Sequence, residues 1–177
     1  MSKISVRNIM FAGVVAALYA TLTIAVAPIA YGPLQFRIAE VLCILPFFFP
    51  ITVPGLFIGC VIANLLSPYG ILDIVAGSAA SLLAAICTMG LGRIDRNSIS
   101  IKALACLPPV IFNALIIGAV IAWAATGGST AFWPAFALNA IQVGFGQFAV
   151  MYVMGFPLML YLPRLNIFRI FSKQLAS

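Results

Sequence analysis

Long apolar stretches interrupted by a few charged residues set the pattern of this chain. One uncharged run lies between Arg7 and Arg37 and a second between Glu40 and Asp73. A third covers Ile74 to Gly92, and no charge falls from Ala103 to Pro163. About 20 apolar residues cross a bilayer as a helix, so the first and third runs each make one crossing. The last makes two, joined around Thr126-Gly127-Gly128-Ser129, and the second holds two short ones if the chain turns near Pro46, Pro50 and Pro54. The sum is about six helices.

A spanning β-strand would alternate apolar and polar residues over about ten positions. These runs are instead apolar on every face and rich in Ala, Leu, Ile and Gly, which predicts an all-α integral membrane protein with residues 1–177 as a single domain. The apolar stretch from Ile9 to Pro28 is longer than the roughly 7–15 residues of a signal-peptide core, so it is expected to be the first helix.

Composition agrees: 64% of residues are hydrophobic and 7% charged, against about 25% charged in soluble domains. The net charge of +6 is mainly a topology signal. Lys3, Arg7, Arg93, Arg96, Lys102, Arg164, Arg169 and Lys173 fall at the N-terminus, in one loop or at the C-terminus. With six crossings all three segments lie on one side, which the positive-inside rule makes cytoplasmic together with both termini. No aromatic-basic interleaving suggests a nucleic-acid partner. Cys43, Cys60, Cys87 and Cys106 sit in apolar runs without paired spacing, and the chain has no His. They are read as small packing residues, and neither a metal nor a cofactor is expected.

Helix one, from Val6 to Ala27, carries Ala12, Ala16 and Ala20 at four-residue spacing, with Gly13 and Ala17 beside them. Such a stripe admits a close helix neighbour, either within this chain or in a partner. Two prolines and a glycine shape the outer connection from Ala27 to Gln35. Helix two starts near Gln35 and brings Arg37 and Glu40 three residues apart, able to pair. Helix three, Pro54 to Leu66, presents Asn64, and Ser67-Pro68-Tyr69-Gly70 leads into helix four, with Asp73 in its first turn.

Each carboxylate has two readings, a helix-end charge favoured by the dipole or a functional intramembrane acid. Helix five, Ala103 to Ala125, holds Asn113, and helix six places Asn139 and Gln142 in its outer half with Gln147 deeper. On the six-helix topology Arg37, Glu40, Asn64, Asp73, Asn139 and Gln142 all fall in outer halves and could share one pocket. Tyr31, Tyr69 and Trp133 border that level, as interfacial belt residues or as stacking platforms for a planar ligand.

An enzyme is improbable on this inventory, with no His, no metal cluster and three acids. No GxxxxGK[ST] phosphate loop is present, so ATP use by this chain alone is not expected. The small basic-tailed six-helix pattern with its alanine stripe resembles the substrate-binding S components of energy-coupling factor (ECF) transporters. The segment from Gly32 through Gln35-Phe36-Arg37-Ile38-Ala39-Glu40 to Leu42, followed by Pro54-Gly55-Leu56-Phe57-Ile58-Gly59 and Ala63-Asn64, is similar to the QueT family of queuosine-precursor transporters.

The resemblance implies a multi-pass subunit of a prokaryotic plasma membrane that captures a deazaguanine-type precursor, while a transmembrane coupling subunit and two ATPase subunits drive uptake. It also implies that Ala12, Ala16 and Ala20 face the coupling subunit. Glu40 and Asp73 would then read the guanine-like edge and the cationic amine of such a ligand. Asn64, Asn139 and Gln142 would supply orienting hydrogen bonds, and Tyr69 would border the site. Arg37 would either hold Glu40 or contact a ligand carbonyl. Two other classes stay open: a self-sufficient secondary transporter carrying a proton on Glu40 or Asp73, and a membrane scaffold.

Overall fold

The computed structural model describes residues 5–32 and 34–165. Lys3, Arg169 and Lys173, three of the cytoplasmic charges expected above, lie outside the described residues, as does Pro33 of the family-like segment. Among the described residues six helical rods build the fold: α1 (Val6–Ala25), α2 (Ile38–Phe48), α3 (Thr52–Asn64), α4 (Ile71–Ile94), α5 (Ile99–Thr126) and α6 (Phe132–Arg164). Four of them, α1, α4, α5 and α6, are by themselves long and apolar enough to cross a membrane, and α2 and α3 are shorter.

The boundaries follow local chemistry. Pro28 sits in the first turn of the short helix Ala27–Ala30, which reorients the chain after α1. Helix α2 begins at Ile38, three residues later than the sequence suggests, and Ile38–Ile44 winds as a 3-10 helix before Pro46 opens an α-helical turn. Proline interrupts the longer rods as well. In α5 the π-wound turn Asn113–Ile117 follows Pro108 and Pro109, and in α6 the π-wound turn Val150–Gly155 comes just before Pro157. Proline removes a helix donor and crowds the carbonyl four residues back, and the helix takes up the strain by widening.

Small residues join the rods. A Cβ on Gly55 would collide with the backbone of Ala12, and one on Gly59 would lie 2.7 Å from the Ala16 carbonyl oxygen. Similar close seams join Gly92 of α4 to Phe47 of α2, and Gly118 of α5 to Ala140 of α6. Where water exclusion gives little drive between helices, such backbone approach maximises dispersion contact.

The alanine stripe therefore packs inside this chain: Ala16 and Ala20 are buried, Ala12 is half-buried, and Gly13 and Ala17 face outward. Ala12, Gly13 and Ala16 also line an apolar groove of about 320 Å³ with Pro54, Gly55 and Ile58.

Polarity is arranged opposite to that of a soluble protein. Val75, Ile141, Phe145 and Val153 are exposed, whereas Arg37, Glu40, Asp73, Asn64, Asn113 and Gln147 are buried. One apolar cluster, including Val15, Tyr19, Leu56 and Ala85, joins α1, α2, α3 and α4. A second, including Ile44, Phe47, Cys106 and Met151, joins α2, α5 and α6. The buried polar side chains lie among these layers.

Candidate functional site

Because α2 and α3 run antiparallel, the start of α2, the end of α3 and the start of α4 meet at one end of the bundle. Arg37, which caps α2, reaches Asp73 in the first turn of α4: its Nη2 donates to Oδ2 at 3.0 Å, with both side chains at 1% exposure or less. The expected pairing of Arg37 with Glu40 gives way to this one, because an Arg at the head of a 3-10 turn is free to point across to the facing helix. Asn64 at the end of α3 completes the junction, its Nδ2 donating to the Asp73 carbonyl oxygen at 2.9 Å. Gly77 keeps the space open, since a Cβ there would lie 2.6 Å from Asn64 Nδ2 and 2.9 Å from Asp73 Oδ1.

Several atoms of this junction are buried with no hydrogen-bond partner among the described residues: Nε and Nη1 of Arg37, Oδ1 of Asp73 and Oδ1 of Asn64. In a dry interior each unmet polar group costs several kcal/mol, so the arrangement is suited to a ligand that supplies both acceptors and donors. Tyr31 covers one side. Its ring centroid lies 5.4 Å from the Arg37 guanidinium carbon, and its hydroxyl donates to the Ala63 carbonyl oxygen at 2.6 Å. That is a packing role on Arg37 rather than a place in an interfacial belt. Tyr69 is half-buried against Ile117, Ile121 and Val143. Burial and the nearby Asp73 push its phenol up, so it stays a neutral donor.

Glu40 sits in a different environment. Its Oε1 accepts from the Tyr19 hydroxyl at 2.6 Å and from the Ser81 hydroxyl at 3.3 Å, and its Oε2 accepts from the Cys43 thiol at 3.0 Å. Residues three apart eclipse in a 3-10 helix, which is why Cys43 meets Glu40. Cys60 joins the same group at 3.3 Å from the Ser81 hydroxyl. Cys43, Cys60 and Cys106 all pack in apolar clusters, as expected, and Cys43 and Cys60 are in addition polar partners around a buried acid. Cys87 is exposed. Glu40 is held by protein donors on both oxygens, while Asp73 keeps one oxygen free.

Of the sequence-selected residues, the structure unites Arg37, Asn64, Asp73 and the adjacent Tyr69, with Glu40 in the layer alongside. No described contact ties Asn139 or Gln142 to them; both are half-buried, and Asn139 Nδ2 donates back to Ala135 of its own helix at 2.8 Å. Trp133 is exposed and packs with Phe132 and Phe136. The α6 side chain that reaches the buried layer is Gln147, whose Nε2 donates to the Gln35 carbonyl oxygen at 3.2 Å. A glycine at position 146 admits this approach, because a Cβ there would collide with the Leu34 carbonyl. Sequence reading did not single out Tyr19 or Ser81; it noted Gln147 as a deeper polar residue of helix six and Gln35 inside the family-like segment, without placing either in the site.

Among the described residues no group of three or more His, Cys, Asp or Glu could hold a metal ion. Among the described residues, an all-helical bundle with apolar side chains outside and buried polar ones inside defines a membrane protein. The chain belongs to the QueT transporter family, which it matches over residues 9–164. It is also similar to a curated relative, the queuosine precursor transporter QueT of Lactococcus lactis subsp. cremoris, at 36% identity over 85 residues, covering 47% of this chain. The match spans half the length of that relative, 50%. No solved structure matches.

Proposed function

We propose that this chain is the substrate-capturing S subunit of an ECF-type importer and binds a queuosine precursor of the deazaguanine class at the Arg37–Asp73 junction. The supporting observation is the buried ion pair itself, which leaves Arg37 Nε and Nη1, Asp73 Oδ1 and Asn64 Oδ1 without partners among the described residues. On the edge away from its lactam, a guanine-like deaza-heterocycle presents an exocyclic N–H and a pyrrole-type ring N–H for the two acceptors, and the ring nitrogen between them accepts from the guanidinium. Arg37, Asn64 and Asp73 make the contacts in this reading, and Tyr69 flanks them. Glu40 fixes the layer behind them, and Asn139 and Gln142 are left out of the contact set.

All six rods cross the prokaryotic plasma membrane in this reading, with both termini cytoplasmic and the junction toward the outside. Energy comes from a transmembrane coupling subunit and two ATPase subunits, in keeping with the lack of a phosphate loop in this chain. The coupling subunit docks on α1 over Ala12, Gly13, Ala16 and Ala17, where the groove beside α3 is open. Ala20 supports that face from within.

Calorimetric titration of the purified chain with an aminomethyl-deazaguanine, a cyano-deazaguanine, queuine and guanine tests the reading. Tight binding of one supports capture. Absence of binding to all four by folded protein rejects the queuosine-precursor assignment. Uptake into vesicles by this chain without coupling subunits would instead establish a secondary transporter.

A further inference from the structure

We propose that Gln35, Asn113 and Gln147 form a separate amide subsite that reads the uncharged lactam edge of the captured heterocycle. The inference rests on the capture function above and adds a second set of contacts to it. Five buried side-chain atoms carry it: Nε2 and Oε1 of Gln35, Nδ2 and Oδ1 of Asn113, and Oε1 of Gln147 make no hydrogen bond among the described residues. The three side chains are exposed by 1%, 1% and 0%.

Their backbones are specialised. Gln35 has φ +48°, a left-handed conformation that non-glycine residues adopt at a cost. It is fixed there by Gln35 N donating to the Gly32 carbonyl at 2.9 Å and Arg37 N donating to the Gln35 carbonyl at 2.8 Å. Such strain persists where the surroundings over-determine it, and it concentrates at ligand sites. Asn113 opens the π-wound turn of α5, a geometry frequent at functional positions.

The contacts place these elements close together. Gln147 Nε2 bonds the Gln35 carbonyl oxygen at 3.2 Å. Ala114, the residue after Asn113, has its Cβ 3.3 Å from where a Cβ on Gly144 would lie, about one helical turn before Gln147. The helix next to Asn113 thus packs on α6 about one turn from Gln147, which itself reaches the 34–37 segment.

Their chemistry defines the ligand feature. Together they offer two free donor groups and three free acceptors, with no charge. A carboxylate-bearing or purely cationic group would leave half of these atoms unmet. A lactam edge, with an N–H beside a C=O, matches a side-chain amide donor for acceptor. Amides that merely bridge helices would bond one another or a neighbouring backbone, and neither polar atom of Asn113 does so among the described residues.

The test uses two probes, an aminomethyl-deazaguanine and its analogue methylated on the lactam nitrogen, titrated into the detergent-purified full chain. The wild type is expected to prefer the unmethylated probe at least tenfold. Asn113→Leu is expected to weaken that probe at least tenfold and to close the gap, with the melting temperature of the ligand-free protein unchanged or raised. Equal binding of both probes by the wild type overturns the subsite without any variant. So does an Asn113→Leu protein with full affinity and discrimination, or one whose ligand-free melting temperature falls, since the amide is then a structural bridge. Failure of the underlying capture function reads differently: folded wild-type protein binds neither probe, and the subsite falls with it.

Discussion

The Tyr19 hydroxyl lies 2.6 Å from Glu40 Oε1, and neither side chain has any exposed surface. A residue in the middle of the first helix thus solvates an acid on the second, in a layer that also receives Ser81 of α4 and Cys43. Tyr19→Phe leaves that carboxylate with one donor fewer in a dry interior. The expected cost is about 1–3 kcal/mol, read as a lower midpoint of thermal unfolding in detergent. Because Glu40 holds the layer from behind, ligand affinity should change less than stability.

Asp73→Asn removes the countercharge of a fully buried guanidinium. Breaking one half of a buried pair costs about 3–5 kcal/mol, and the precursor affinity of any protein that still folds should fall at least tenfold. The double change Arg37→Met with Asp73→Leu should recover much of the stability, since apolar replacement of a whole buried pair is often neutral or better, while binding stays lost. Titration and thermal unfolding of the three proteins separate the two effects.

Gly77→Ala tests the room kept at the junction. The added carbon would sit 2.6 Å from Asn64 Nδ2 and 2.9 Å from Asp73 Oδ1, so both must move. Alanine in place of glycine favours the helix by about 1 kcal/mol, which offsets the crowding, and the unfolding midpoint should shift little. Precursor affinity should nonetheless drop at least tenfold by calorimetry.

Coupling and folding separate on α1. A Cβ on Gly13 meets nothing within 4 Å, so Gly13→Leu should leave precursor binding by the isolated chain intact and reduce uptake in vesicles holding the complete importer. Ala16 is buried against Gly59, and Ala16→Leu should lower stability along with uptake. Normal uptake by Gly13→Leu would remove this face from the docking surface.

The helical rods were legible because uncharged runs and prolines mark where a chain can cross and where it must turn. Pro28, Pro50 and the Gly70–Ile71 boundary stand close to where the structure places the breaks. Arg37, Asn64 and Asp73 stood out as rare polar residues at helix ends, and they converge. Partner choice was not legible: spacing along one helix offered Arg37 to Glu40, but the facing start of α4 supplied Asp73. The amides illustrate the same limit. Asn139 and Gln142 share a helix with Gln147, yet only Gln147 meets the 34–37 segment, because Gly146 lets that backbone in.

The short rods α2 and α3 also give the protein a thickness of its own. Helix α3 has 13 residues, which at 1.5 Å each is roughly 20 Å, against a hydrocarbon core of about 30 Å. In the proposed six-crossing arrangement the bilayer must thin along that wall, at an elastic cost that depends on acyl-chain length. Arg37 and Asn64 stand at the ends of these same rods, so in that arrangement the junction lies where the bilayer would have to thin.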